Sequence, residues 1–183
     1  MGGLDKGLVP LAGRPMIEHV LDAIRPQVTN IIISANRNLD RYQGYGCPVV
    51  SDEEDGYPGP LAGVLAGLKA TETPFLVTVP CDAPMLAPDL VRRLQEALRA
   101  EDADLAVASD GERLQPVFML LSTRLAPSLN EYLAGGGRKI DTWYGRLRLA
   151  VADLSDRPET FVNVNDPTER ERVEKQLSKP ARG

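Results

Sequence analysis

The runs "NIIISAN" (Asn30–Asn36) and "PFLVTVP" (Pro74–Pro80) constrain this chain more than any other feature, because neither has a polar face. A strand with one side in water alternates apolar and polar residues. A strand apolar throughout has to be covered on both sides, as in parallel sheets sandwiched by helices. Helical patterns stand between the runs. Met16, Ile17, Val20, Leu21 and Ile24 recur at helical spacing after Pro15, and Pro26 ends that helix. "LAGVLAGLKA" (Leu61–Ala70) is helical, with small residues that allow close packing on a sheet. "APDLVRRLQEALRAE" (Ala87–Glu101) carries the apolar stripe Leu90, Val91, Leu94, Ala97 and Leu98, with Asp89 near its positive end. Strands alternating with helices predict an α/β fold with a mostly parallel central sheet.

The remaining elements follow the same reading. "PVVSD" (Pro48–Asp52), Ala103–Ser109, Gln115–Leu121 and a stretch near Arg148–Ala152 are expected strands. Helices are expected around Thr123–Ala134, Lys139–Tyr144 and Pro167–Leu177, with "GGGR" (Gly135–Arg138) as a flexible joint and the last residues frayed. A length of 183 residues without a low-complexity linker predicts one domain.

In such sheets ligands bind beyond the carboxyl ends of the strands. Three runs end in polar groups there: Ser34 and Asn36, Ser51 and Asp52, and Cys81 and Asp82. Parallel strands would bring a hydroxyl, an amide and two carboxylates to one crevice. Pro80 and Pro84 stiffen the segment around Asp82, which suits a carboxylate that must be aimed. "YPGPLAG" (Tyr57–Gly63) restricts the backbone at Pro58 and Pro60 and leaves it bare at Gly59 and Gly63, just where a helix begins and offers free N–H groups.

At the amino end, Gly2 and Gly3 would let backbone amides approach a phosphate, and Lys6 adds a compact positive charge. The P-loop pattern, Lys followed directly by Ser or Thr, is absent, which argues against a P-loop NTPase. In "FVNVND" (Phe161–Asp166), Asn163 and Asn165 alternate with Val and share one face of an extended segment, a polar comb for a ligand or a metal shell.

Other features exclude function classes. A net charge of −5 argues against nucleic acid as partner. No membrane-length apolar stretch and no signal-peptide pattern is present, so a cytoplasmic location is expected. Cys47 and Cys81 make neither a disulfide framework nor a zinc site and are expected to be reduced thiols. The single histidine, His19, has no partners at metal or catalytic spacing and is expected to hold an ordinary helix position.

Taken in order, "MGGLDKGL", "ANR" (Ala35–Arg37), "SDEEDGYPGPLAG" (Ser51–Gly63), "PCDAP" (Pro80–Pro84) and "FVNVNDP" (Phe161–Pro167) resemble the molybdenum cofactor guanylyltransferase family of nucleotidyltransferases over nearly the whole chain. The resemblance implies a Rossmann-like three-layer α/β sandwich. It implies GTP as substrate, Mg²⁺ as cofactor, and molybdopterin or its molybdenum form as acceptor, with other cofactor-biosynthesis or molybdoenzyme-maturation proteins as further partners. It makes residues 1–183 a single nucleotidyltransferase domain, 1–100 binding the nucleotide and 101–183 the acceptor. Lys6 would contact the nucleotide phosphates, with Ser34 and Asn36 near the nucleotide; the family often has Asn where this chain has Ser34. Asp52 would help hold the guanosine, Pro58, Gly59, Pro60, Leu61 and Gly63 would line the base pocket, and Asp82 would be the magnesium ligand. Lys6 and Asp82 would be catalytic, and Asn163 and Asn165 would face the acceptor or the metal.

The family pattern begins earlier, with a strand, a Leu-Ala-Gly-Gly loop and an Arg ahead of Met-Gly-Gly. Here the sequence opens at that Met, so the first strand and the first half of the phosphate loop are expected to be missing before residue 1. Three alternatives stay open at this point: a cytidylyltransferase on the same cofactor, a sugar-phosphate nucleotidyltransferase, and a non-catalytic module that binds the cofactor or a partner.

Overall fold

The computed structural model describes residues 5–51 and 59–177. Its largest ladder is a four-stranded sheet in the order β5-β7-β6-β8, made of β5 (Phe75–Thr78), β6 (Leu105–Ser109), β7 (Leu114–Ser122) and β8 (Leu149–Asp153). Residues of the middle strands alternate between two buried faces. Leu105, Val107, Met119 and Leu121 face one core, while Ala106, Ala108, Phe118 and Leu120 face the other. Each face is roofed by helices. α3 (Pro60–Ala70), α5 (Ala126–Ala134) and α6 (Ile140–Tyr144) cover the first, and α1 (Met16–Ile24) and α4 (Leu90–Ala100) cover the second. This is the three-layer α/β sandwich that two-faced apolar strands require.

Helix α4 shows why the pattern is readable. Leu90 and Leu94 are fully buried and Val91 and Leu98 nearly so, all from one stripe. Burial of each such side chain stabilises by about 1.5–3 kcal/mol relative to exposure. In α3 the spacing is set by Gly67, where a Cβ would stand 3.2 Å from Leu76 of β5. A Cβ there would require the Leu76 side chain to give way by a few tenths of an ångström.

The ladders are mixed. β6 runs parallel to β8, whereas β7 is antiparallel to both β5 and β6. β6 and β7 follow each other through the short turn 110–113, and a connection that short reverses the chain, so β7 cannot be parallel to β6. The β6–β7 register also shifts between Val107 and Ala108, opposite the stretch containing Pro116, which has no N–H to give to a ladder.

The amino-terminal third is built more lightly. β1 (Pro10–Leu11) and β2 (Arg14–Pro15) form a tight hairpin whose turn residues, Ala12 and Gly13, both have positive φ (48° and 79°), the geometry that a two-residue turn demands. β3 (Ile33–Ser34) pairs in parallel with β4 (Val49–Val50). The run Asn30–Asn36 therefore yields a ladder of two residues. Pro48 accepts a hydrogen bond from the Ile33 N–H but has none to donate, which ends the pairing on that side. Between them lies α2 (Leu39–Gln43), a short helix that the sequence pattern does not announce. The closing helix α7 (Pro167–Leu177) buries Val173 against Leu11, Met16 and Val164, and so ties the carboxyl end to the amino-terminal hairpin. Among the described residues no helix is long and apolar enough to cross a membrane.

Candidate active site

Lys6 stands on a three-residue 3-10 turn, Lys6–Leu8, which is anchored by the buried Leu8. Its ammonium donates to Asp82 Oδ2 at 3.0 Å and to Asn165 Oδ1 at 2.6 Å. These partners lie 76 and 159 residues away in sequence, so the fold alone assembles the cluster.

Each partner is held by its own device. Asp82 follows β5 and is 8% exposed, while the neighbouring Ala83 and the nearby Leu86 and Ala87 sink into the core. The Asp82 carbonyl accepts the N–H of Val164 at 2.9 Å, which lays the segment 162–165 along the Asp82 loop. Val164 is fully buried, whereas Asn165 is exposed and Asn163 half-buried. The Asn165 N–H donates to Glu169 at 2.7 Å, and Asp166 Oδ1 accepts the N–H groups of Thr168 and Glu169 at 2.8 and 2.9 Å, capping α7. The Asn163 Oδ1 is buried without a partner among the described residues. An unmet acceptor of this kind costs about 1–3 kcal/mol, a cost expected where a group is kept for a ligand.

This donor set suits a hard divalent cation. Asp82 offers a carboxylate, while no group of three or more His, Cys, Asp or Glu among the described residues could cage a metal. A cation with few protein ligands, completed by substrate phosphates and water, is how magnesium is held.

Cys81, beside Asp82, is a free thiol, as is Cys47. Although the residue reaches the surface, crowding around its sulfur pushes the Cys81 thiol up to about 11, and the charges of Asp82 and Asp5 add to the effect. It is therefore a poor nucleophile at neutral pH. His19 uses Nε2 to meet the Leu11 carbonyl at 2.9 Å and ties α1 to the hairpin, the structural position expected of it.

Other expected residues gather at two further places. At the tips of β3 and β4, the Ala35 N–H donates to the Val50 carbonyl at 2.9 Å and the Ser51 hydroxyl donates to Asn36 Oδ1 at 3.0 Å, with Ser34 exposed beside them. At the start of α3, Gly59 adopts φ 106° and ψ 174°, a conformation open only to glycine. Pro60 follows in the first turn, Leu61 is buried beneath it and Gly63 is half-buried. Gly2, Gly3, Asp52 and Pro58 lie outside the described residues.

Sequence reasoning missed Asp5, Asn38 and Tyr42. Asp5 accepts from the Tyr42 hydroxyl at 2.5 Å and from Asn38 Nδ2 at 2.9 Å. The available signals were slight: an Asp next to Lys6, and a single aromatic in the polar stretch "NLDRYQ".

The MobA-like NTP transferase domain profile matches residues 1–174. The chain belongs to the MobA-like NTP transferase domain family. A protein of Shewanella sediminis (strain HAW-EB3) named molybdenum cofactor guanylyltransferase is 51% identical over 179 residues, 98% of this chain and 91% of its own length. One of the same name from Shewanella sp. (strain MR-4) is 52% identical over 178 residues, covering 97% of this chain and 90% of that protein. Among solved structures, the molybdopterin-guanine dinucleotide biosynthesis protein A of Archaeoglobus fulgidus superposes with a TM-score of 0.79 at 21% identity, covering 96% of this chain and 92% of that one. The 2-C-methyl-D-erythritol 4-phosphate cytidylyltransferase of Thermus thermophilus gives 0.72 at 17%, covering 94% and 93%. At these identities the structural likenesses speak for the fold alone. The Lys6–Asp82–Asn165 cluster lies wholly within the matched residues.

Proposed function

We propose that this chain transfers GMP from GTP to the terminal phosphate of molybdopterin or its molybdenum form, releasing pyrophosphate. The observation that carries the reading is the pairing of Lys6 with Asp82 beneath Asn165, in a chain half identical over nearly its whole length to proteins named molybdenum cofactor guanylyltransferase.

The chemistry asks for alignment and charge neutralisation. An acceptor phosphate oxygen attacks the α-phosphorus of GTP, and the bond to the leaving pyrophosphate breaks. A phosphate monoester has its second pKa near about 6, so the attacking oxygen is already largely ionised and needs no general base. Lys6, its side chain 45% exposed in this state, turns from Asp82 to the phosphates and offsets charge on the departing pyrophosphate. Asp82 would hold magnesium, which when bound would neutralise charge on the phosphates, and Asn163 would face the acceptor or the metal. Asn165 steadies Lys6 and faces the acceptor. Ser34 and Asn36 contact the nucleotide, and the start of α3, with Gly59, Pro60, Leu61 and Gly63, receives the base. The family resemblance gives Asp52 to the guanosine and Pro58 to the base pocket. Residues 1–100 then serve the nucleotide and 101–183 the acceptor.

The purified chain is incubated with molybdopterin and either GTP or CTP, with and without Mg²⁺, and the dinucleotide product and pyrophosphate are quantified. Guanine dinucleotide formed with GTP, and only with Mg²⁺, is the expected result. Preference for CTP would make the chain a cytidylyltransferase, and binding of molybdopterin without turnover on either nucleotide would make it a binding module.

A further inference from the structure

The turn that carries Lys6 has little to hold it in place by itself. It is a three-residue 3-10 turn, closed by the Leu8 N–H on the Asp5 carbonyl at 3.0 Å and the Val9 N–H on the Lys6 carbonyl at 3.2 Å. Turns of this kind have poor hydrogen-bond geometry and take their order from their surroundings. Here the surroundings are α2. Asp5 Oδ1 accepts from the Tyr42 hydroxyl and Oδ2 from Asn38 Nδ2, while the Arg37 guanidinium stands 3.9 Å from Oδ2. Asn38 reaches Asp5 from a left-handed backbone, φ 53°, which Asn tolerates better than most residues.

Tyr42 is 4% exposed and packs with Leu8, Ile17, Leu21 and Ile33. A Cβ added to Gly7 would lie 2.7 Å from the phenol oxygen and 3.5 Å from the Cβ of Cys81. The hydroxyl and the residue next to Asp82 thus both border the space beside the backbone next to Lys6, which leaves no room for a side chain there. Burial, and then the Asp5 carboxylate, hold the phenol well above its ordinary range, so it remains a donor.

We propose that Tyr42 is a positioning residue. Its hydroxyl, acting through Asp5, fixes the Lys6 turn and the spacing between Lys6 and Asp82. The catalytic part of this rests on the role given to Lys6 above; the structural part stands without it.

Tyr42→Phe keeps the ring and removes the hydroxyl, so the fold survives and Tm moves little. Amide hydrogen exchange at Leu8 and Val9 is expected to quicken at least ~5-fold while α4 and β6 keep their protection, because loss of one buried hydrogen bond is felt locally. In the GMP-transfer assay kcat is expected to fall ~10-fold. In a Lys6→Ala background the same substitution is expected to change kcat less than about twofold, since its effect passes through Lys6. Unchanged exchange at Leu8 and Val9 overturns the proposal. So does an equal loss of kcat with and without Lys6, which would place the effect of Tyr42 elsewhere. If the parent chain transfers no GMP, the functional reading fails, and the exchange measurement still decides whether Tyr42 holds the turn.

Discussion

The four-stranded sheet and the amino-terminal region around Lys6 are built on different principles. In the sheet, Leu105, Ala106, Val107 and Ala108 are all fully buried, as are Met119 and Leu121 opposite them. Around Lys6 the strands are two residues long, the apolar cluster is small (Leu8, Ile17, Leu21, Ile33 and Tyr42), and polar contacts of long sequence separation do the holding. The first region derives its stability from area removed from water. The second gives up area to bring a cation, a carboxylate and amides together. Stability and function are therefore expected to be separable by mutation.

The largest test of this division sets Asp82→Ala against Leu121→Ala. Loss of Asp82 should reduce GMP transfer by about 10²–10³-fold, the usual effect of removing a preorganised charge, with Tm nearly unchanged. Leu121 is fully buried between β5 and β6, and its truncation should cost about 2–5 kcal/mol of folding free energy, read as a lower denaturant midpoint, with kcat per folded molecule preserved. Pyrophosphate release unchanged in Asp82→Ala, or a large loss of stability there, would erase the distinction.

A smaller test lies at the start of α3. Gly59 at φ 106° allows no Cβ without strain, and Gly59→Ala should cost roughly 1–3 kcal/mol. If that turn receives the base, KM for GTP rises about 10-fold or more while KM for the acceptor stays put. A loss of stability with both KM values unchanged would return Gly59 to a purely structural role.

How much of this can be read from the sequence also divides along the same line. The apolar run of β6 and the stripe of α4 are legible because burial marks the sequence locally, as a run apolar throughout in the strand and as a helical period in α4; the equally apolar β5 is only half-buried, with Phe75 exposed. The reversed direction of β7 leaves no such period; only the short link from β6 implies it. In the site, Lys6, Asp82 and Asn165 each stand out as residue types at strand ends or in short motifs. That the three meet is implied by the family resemblance, since nothing local joins positions 76 and 159 residues apart. Asp5 and Tyr42 were missed for the same reason. Their bond depends on α2, a five-residue helix in polar sequence, with too few apolar residues to show a period.

The smallest expected effect concerns the electrostatic fastening of the sheet layer. Arg93 on α4 donates to Asp89 Oδ2 at 2.8 Å, to both Asp156 oxygens at 2.6 and 2.8 Å, and to the Asp153 carbonyl at the end of β8 at 3.1 Å. Its hydrogen bonds are the first cause that holds the Asp89 and Asp156 carboxyls below their ordinary range. A carboxylate depressed in the folded state adds stability above its unfolded value near about 3.9 and loses it as pH falls through the lower folded value. Arg93→Met keeps much of the aliphatic stem and removes the donors. At pH 7 its Tm should lie a few degrees below the parent, since partly exposed pairs are weakened by solvent and salt. As pH is lowered past about 4 the parent loses this contribution and the two melting curves should converge. A gap in Tm that persists unchanged into strong acid would assign the role of Arg93 to packing of its stem between α4 and β8, and would leave the α4–β8 contact, in contrast to the Lys6 region, held by burial.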